Sequence, residues 1–600
     1  MSGRTDMAGQ LAPGGAAARG GARPRARRAA AGQLALLATY LAAGIAVTWP
    51  RAAFLTGRLP RTRDVANYVW SLQWLAHQVT HLGNPWFTTQ LAAPAGVQLG
   101  FDTTIPLAGL ILTPVTLAFG PSAAFTLLAI VTPGLACYVM YRAARLWLGR
   151  AGAIGAGALF GLSSMLTWQA WYHLNVALGT MFLPMTIEAA VRLRRSPGIR
   201  QSLVLGLVLG ACPLVNQESA VLAAGLAAVI LLPWLLRRGP ARARFARAGL
   251  AALTAGLVAS PQLVAMAQQA LAGGAAIRPG LLARTYRLYA VGLPTLVAPS
   301  PRLRDLGLGA LTSGYSYRAP AEGVVTFGAV LTLLALAGLA ACWRRWPLRW
   351  LALLWAGGAV LALGPRLIIG TRAHVPLPGL WHGARMSWLM PYTWLVHLPG
   401  LSGLREADRF ALAGLAGAAV LAGAAVDWLS GHARPLAAVA AVAALAEAGW
   451  SGSPGVGAMP TTLPALDRPV AADRSGSIVV DVPYGLRGGI PRFGTGLIPQ
   501  EQLLATSDGH PRAISYTAWV PEPAVRAIRA HPFYLRLAAA QHGHPSTPAQ
   551  LASARADAAR MGIGWALVWQ HRPGAVSYLT GAGFRFSYRA DGVSVYRPGW

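Results

Sequence analysis

The chain has 600 residues, 54% hydrophobic and only 12% charged, with a mean hydropathy of +0.45. That balance excludes an ordinary soluble protein, because apolar blocks of bilayer-crossing length recur along the sequence. A net charge of +32 would suit a nucleic-acid binder, but the arginines sit in short clusters between apolar blocks rather than on one soluble module, so we read them as orientation signals for membrane helices and expect no nucleic-acid partner.

Residues 1–31 are polar, rich in Gly, Ala and Arg, and are expected to form a disordered basic tail. The apolar block 33–49 is longer than the core of a signal peptide and reads as an uncleaved first span. After it, in the loop 50–103, Val65, Tyr68, Val69, Leu72, Leu75, Ala76 and Val79 follow helical spacing, with Asn67, Ser71, Gln78 and His81 on the other side. This predicts an amphipathic helix in the plane of the interface, where Trp70 and Trp74 suit the depth. Asp64 stands at its start. It is either an N-cap or a carboxylate placed as a general base at the membrane surface.

Further spans are expected near 122–141, 151–168, 176–192, 201–215, 219–236, 247–266, 323–342, 349–364, 410–429 and 435–450. The segment 104–119 is apolar too, and either crosses or re-enters. With the arginine clusters at 23–28, 142–150, 192–200, 237–247 and 344–349 in the cytoplasm, the alternation is self-consistent, with the N-terminus inside and residues 451–600 outside. Asp64, "WYHLN" (171–175), "NQE" (216–218) and the loop 365–409 then share the extracytoplasmic side.

Several polar residues on that side are candidates for a site, each with a plainer alternative. Asp102 and Glu218 are possible second acids or helix-start residues. His173, Asn175 and Gln217 are candidates for contact with donor or acceptor, and His173 beside Trp171 and Tyr172 also suits an interface. Arg405 and Arg409, four apart, share a helix face and suit one phosphate, or pair with Glu406 and Asp408. Arg372 and Arg385 lie in the same outer loop. Cys137, Cys212 and Cys342 lie within apolar blocks and offer no disulfide framework or metal-ligand spacing. No glycine-rich phosphate loop follows a strand, which argues against a nucleotide donor.

After Trp450 the composition changes. Residues 451–475 read as a linker and 476–600 as a small α/β domain. Strands are expected at 477–484, 565–570, 584–589 and 593–598, the last two joined at Asp591-Gly592, with helices at 521–541, 548–561 and 573–581.

Four blocks, "RDVANYVWSLQWL" (63–75), "NPWFTTQLAAPAGVQLGFDTTIPLAGLILTPVTLAFGPSAAF" (84–125), "WYHLNVALGTMFLPM" (171–185) and "LPGLSGLREADRFALAGL" (398–415), together resemble the GT-C superfamily of polytopic glycosyltransferases, in the bacterial branch with a C-terminal extracytoplasmic domain. In the tail "DVPYG" and "SDGHPRAISY" are similar to that domain's motifs. The resemblance implies a mostly α polytopic membrane protein of about 11 to 13 transmembrane helices, with a small C-terminal α/β domain, in the bacterial plasma membrane. It also implies an inverting glycosyltransferase taking a sugar from a polyprenyl-phosphate carrier. Asp64 would be the base; from their own charge and spacing, Arg405 and Arg409, with Arg372 and Arg385 in the same outer loop, are expected to hold the donor phosphate. The acceptor would be a glycan, lipid or protein, with membrane lipids around the chain. The family often sets two acids together in this loop. Here Asp64 is flanked by Arg63 and Val65, so no cofactor is assigned; a divalent metal stays an alternative that no paired acidic motif supports. The alternatives are a carrier or flippase for lipid-linked saccharides, or an envelope scaffold.

Overall fold

The computed structural model describes residues 22–48, 56–239, 241–273, 279–298, 324–344, 346–369, 386–449, 457–488 and 490–600. The helix Ala22–Thr48 starts inside the stretch expected to be disordered. Among the described residues, six helical segments are long and apolar enough to cross a bilayer: Ala30–Thr48, Pro121–Ala144, Leu174–Arg195, Gln217–Leu235, Ala241–Leu271 and Ala407–His432. Four shorter apolar helices join them, Pro106–Phe119, Ile199–Leu214, Ala329–Ala341 and Leu348–Ala362. The chain is a multi-pass membrane protein.

The expected span 151–168 is instead two helices, Arg150–Gly161 and Ser164–Tyr172, bent by 43°. The break is local chemistry: the Ser163 hydroxyl accepts from the Leu166 N–H and caps a new helix. The ambiguous segment becomes the 14-residue helix Pro106–Phe119. At about 21 Å it falls short of the ~30 Å hydrocarbon core. Gly120, at φ 84, turns the chain from it into Pro121–Ala144.

Phe410–His432 is the hub of the bundle, with every residue from Phe410 to Val426 buried. Its Ala and Gly positions let neighbouring backbones approach closely. A Cβ added at Gly423 would lie 2.4 Å from the Gly152 carbonyl oxygen, so that contact requires glycine.

In the tail, the strands Phe584–Ala590, Val593–Pro598, Ile563–Val568 and Ile478–Val482 form one sheet in that order. The first three run antiparallel and Ile478–Val482 lies parallel to Ile563–Val568. The helices Pro548–Met561 and Pro573–Gly581 stand at their expected places. The expected helix 521–541 is broken into Glu522–Arg529 and Pro532–Ala540, because Pro532 has no N–H to continue the ladder and instead opens the second helix. Residues 451–475 are not merely a linker: Ala458–Pro460 pairs antiparallel with Arg58–Pro60 of the first loop, and Pro464–Ala472 is helical.

That pairing is one part of a larger docking. Trp70, Leu91, Ala92, Ala93, Val97 and Leu99 of the first loop share one apolar core with Val480, Val482, Ile514, Phe533 and Tyr534 of the tail. The first half of the helix Arg63–His81 is therefore packed within protein rather than open on its polar side. Residues 65–72 are all buried. Its polar side faces the tail, where Gln502 Nε2 donates to Asn67 Oδ1 at 2.8 Å. A polar helix face is satisfied by protein groups as well as by water.

Candidate active site

Asp64 is not the helix cap. Thr62 is: its hydroxyl accepts from the Val65 N–H, which leaves the Asp64 carboxylate free to point elsewhere. That side chain keeps 32% of its surface exposed. Its Oδ1 accepts from the Tyr516 hydroxyl at 2.9 Å, and its Oδ2 lies 3.9 Å from His173 Nε2. His173 is steered from behind, since its Nδ1 meets Gln169 Oε1 at 2.9 Å. Asn175 receives the Tyr68 hydroxyl on its amide oxygen.

Tyr516 sits on the tail strand Ser515–Thr517, and the strand continues over the site. The Ala518 N–H donates to Asp102 Oδ1 at 2.6 Å. Trp519 packs on Phe101, and the Arg405 guanidinium lies 5.0 Å over the Trp519 ring. Gln502 holds the strand by accepting from the Tyr516 N–H at 3.0 Å. One run of four tail residues thus touches Asp64, Asp102 and Arg405.

Tyr516→Phe keeps the ring and removes only the hydrogen bond to the carboxylate. A hydrogen bond to a charged group is worth about 1.5–3 kcal/mol. We expect the single-turnover transfer rate to fall about 10- to 100-fold on that basis, with an unchanged melting temperature; an unchanged rate would mean that the phenol does not orient Asp64.

Asp102 is fully buried. Its carboxylate also receives Asn67 Nδ2 at 3.4 Å, and its backbone oxygen accepts from Gln217 Nε2 at 3.3 Å. Burial pushes its carboxyl up to about 6, against the hydrogen bonds from Ala518, Thr103 and Asn67, and the Asp64 charge adds to the rise. Between 3.8 and about 6 the folded chain therefore keeps a proton that the unfolded chain has lost, so stability falls as pH rises through that window. Asp102→Asn removes this slope. Denaturation midpoints across that window should diverge between wild type and variant by about 3 kcal/mol; parallel curves would refute the assignment.

Glu218 begins the span Gln217–Leu235, and its carboxylate pairs with the Arg409 guanidinium. Arg409 also lies 4.0 Å from Glu406, and Arg405 3.4 Å from Glu406. The pair expected to grip one phosphate is therefore unequal: acids partly neutralise both arginines, but Arg405 reaches toward the tail. Arg372 and Arg385 lie outside the described residues.

The sequence reading did not place Arg63 or Arg487 in the site. Arg487, on the tail strand Gly485–Gly488, interacts electrostatically with Asp64, Tyr516, Tyr289 and Arg63. Burial and the Arg63 charge push its guanidinium down. Arg63 itself donates from Nε to the Leu497 carbonyl at 2.8 Å. Tyr289 also senses Arg405. Arg63 stands beside Asp64 in the sequence and could have been flagged there; Arg487 lies over four hundred positions away and carries no local signal. His510 in the tail is structural: its ring meets the Ser477, Asp473 and Val470 carbonyls at 2.7–3.0 Å. Among the described residues no three His, Cys, Asp or Glu side chains form a metal-ligating group. The Asp102 carboxylate accepts from Ala518 and Asn67, and the Asp64 charge reaches it.

No family model matches the chain, and no curated protein matches it. Solved structures do. The arabinofuranosyltransferase AftD from Mycobacteria superposes at a TM-score of 0.57, with 15% identity over 95% of this chain and 40% of its own. This chain thus spans about two fifths of the AftD chain. ArnT from Cupriavidus metallidurans, solved bound to undecaprenyl phosphate, aligns at a TM-score of 0.46 and 10% identity over 93% of this chain and 97% of its own. The fold is that of the GT-C membrane glycosyltransferases.

Proposed function

We propose that this GT-C-fold membrane protein is an inverting glycosyltransferase, which moves a sugar from a polyprenyl-phosphate donor to a hydroxyl of a glycan, lipid or protein acceptor at the extracytoplasmic face of a bacterial plasma membrane. The observation that carries the reading is the state of Asp64: a partly exposed carboxylate held by Tyr516 and near His173, with Arg63 and Arg487 in electrostatic range. A residue serving only as a cap needs none of this.

On this reading Asp64 takes the proton from the acceptor hydroxyl, and the oxygen attacks the anomeric carbon from the face opposite the phosphate. The carbon–oxygen bond to the phosphate breaks, and polyprenyl phosphate leaves with the electron pair. The reacting centre inverts. The leaving group gains charge, which guanidiniums from Arg63, Arg487 and Arg405 stabilise through their planar donors.

The test is reconstitution of the full chain in liposomes with a labelled polyprenyl-phosphosugar, or with the matching nucleotide sugar. Release of polyprenyl phosphate from the lipid donor alone, coupled to acceptor glycosylation, is the expected result. Movement of intact lipid-linked sugar across the bilayer without cleavage would replace the enzyme with a carrier.

A further inference from the structure

A second polar site lies at the opposite end of the same helices. His173, beside Asp64, opens the helix Leu174–Arg195, and Arg192 stands nineteen residues further on, about 28 Å along the axis. Around Arg192 is a cleft of about 340 Å³ between the ends of Pro121–Ala144, Leu174–Arg195 and Ile199–Ala211. Its polar wall is Arg142, Arg192, Arg200 and the Glu188 carboxylate, and Val139 and Val204 stand on its apolar wall.

The arrangement is built rather than incidental. Glu188 is largely buried, with a side chain 10% exposed, and one of its oxygens receives Arg142 Nη2 and Arg192 Nη2, each at 2.7 Å. Each guanidinium uses one nitrogen there and keeps its other donors for the cleft, where both side chains stay about half exposed. One acid therefore holds two arginines side by side, and with Arg200 the group remains net positive. Arginines needed only to orient a helix require no shared buried partner. Val204 is open to the lipid side and so are Leu203 and Leu207 on the same helix, so the cleft has a polar end and an apolar flank facing the bilayer.

We infer that this cleft binds the phosphate headgroup of an anionic phospholipid, with an acyl chain lying along Val139 and Val204, at the face of the membrane opposite Asp64. A phosphodiester offers paired acceptors to the two guanidinium forks, and basic pockets between membrane helices hold such headgroups. The site is independent of the proposed transfer chemistry and its test uses no activity.

The experiment is native mass spectrometry of the detergent-purified full chain titrated with phosphatidylglycerol, phosphatidylcholine, or inorganic phosphate alone. The wild type should retain phosphatidylglycerol selectively. Arg142→Gln/Arg192→Gln should weaken retention about 30-fold. Val204→Trp, which narrows the cleft at an exposed position without changing charge, should weaken it as well. Arg237→Gln/Arg238→Gln removes equal charge elsewhere on the same face and should stay within about twofold of wild type. Three results would overturn the inference: equal loss in that control pair, equal retention of phosphatidylcholine, or retention of inorganic phosphate as strong as that of the lipid.

Discussion

Asp64→Asn should slow sugar transfer by about 10²–10⁴-fold, the usual contribution of a positioned general base. The substitution is nearly isosteric. Its amide oxygen can still accept from the Tyr516 hydroxyl, and the site's partial exposure means that little burial is disturbed. The loss should therefore fall on the chemical step, with donor retention unaffected and stability within about 0.5 kcal/mol of wild type. Single-turnover transfer in liposomes separates the two readings, since it reports the chemical step after donor has bound. If Asp64→Asn transfers at the wild-type rate, another group removes the proton and the proposed mechanism fails at its first step. A variant that transfers normally only at raised pH would point instead to hydroxide from solvent and keep Asp64 as the base at neutral pH.

What was legible before the fold was local chemistry. Helical spacing after Asp64 gave the helix Arg63–His81, and the Asp591-Gly592 turn gave the last hairpin, because both depend on neighbours within a few residues. The apolar blocks gave most of the bundle for the same reason. Two misreadings share one physical cause. Asn67 and Ser71 were expected to face water and Trp70 to face headgroups, yet all three are buried against other parts of the chain. Periodicity distinguishes a polar face from an apolar one, but it does not say whether water or protein satisfies the polar face. The bend at Ser163 was missed because one capping hydroxyl outweighs a continuous run of hydropathy.

The candidate site divides along the same line. Asp64, Asp102 and His173 drew attention because a charged or titratable group beside a membrane span is costly unless it has a task or a partner. Tyr516 and Arg487 drew none, since a tyrosine and an arginine in a soluble domain are ordinary. They become part of the site only through the tail's docking on the first loop. The sequence distance from Asp64 to Tyr516 is 452 residues, and no local pattern bridges it.

That docking rests on a charged pin inside the tail, and breaking it is the largest stability effect we expect. Arg512 is fully buried, with its guanidinium 3.2 Å from Asp481 and paired also with Asp508, while Trp569 Nε1 donates to Asp481 at 2.8 Å. Its backbone clamps the first loop: the Arg512 N–H donates to the Gln90 carbonyl and the Ala93 N–H to the Arg512 carbonyl, both at 2.9 Å. Arg512→Leu leaves two carboxylates buried without their cation, which costs about 3–5 kcal/mol. The loss should depend on pH. Burial already pushes Asp481 up and Arg512 pulls it down, so removing the cation raises it further. The folded variant then binds a proton that the unfolded chain has released, and it regains stability as pH falls from 8 toward 5. Transfer should fail along with stability, because Tyr516 lies only four residues beyond the pin. Adding Asp481→Asn and Asp508→Asn removes the stranded charges and should recover most of the melting temperature, since a buried ion pair replaced as a unit is often neutral. Thermal unfolding followed by tryptophan fluorescence between pH 5 and pH 8 reads all of this. If Arg512→Leu alone melts with the wild type at pH 8, the tail is held on the first loop by its apolar core, and the ion pair contributes nothing to keeping Tyr516 over Asp64.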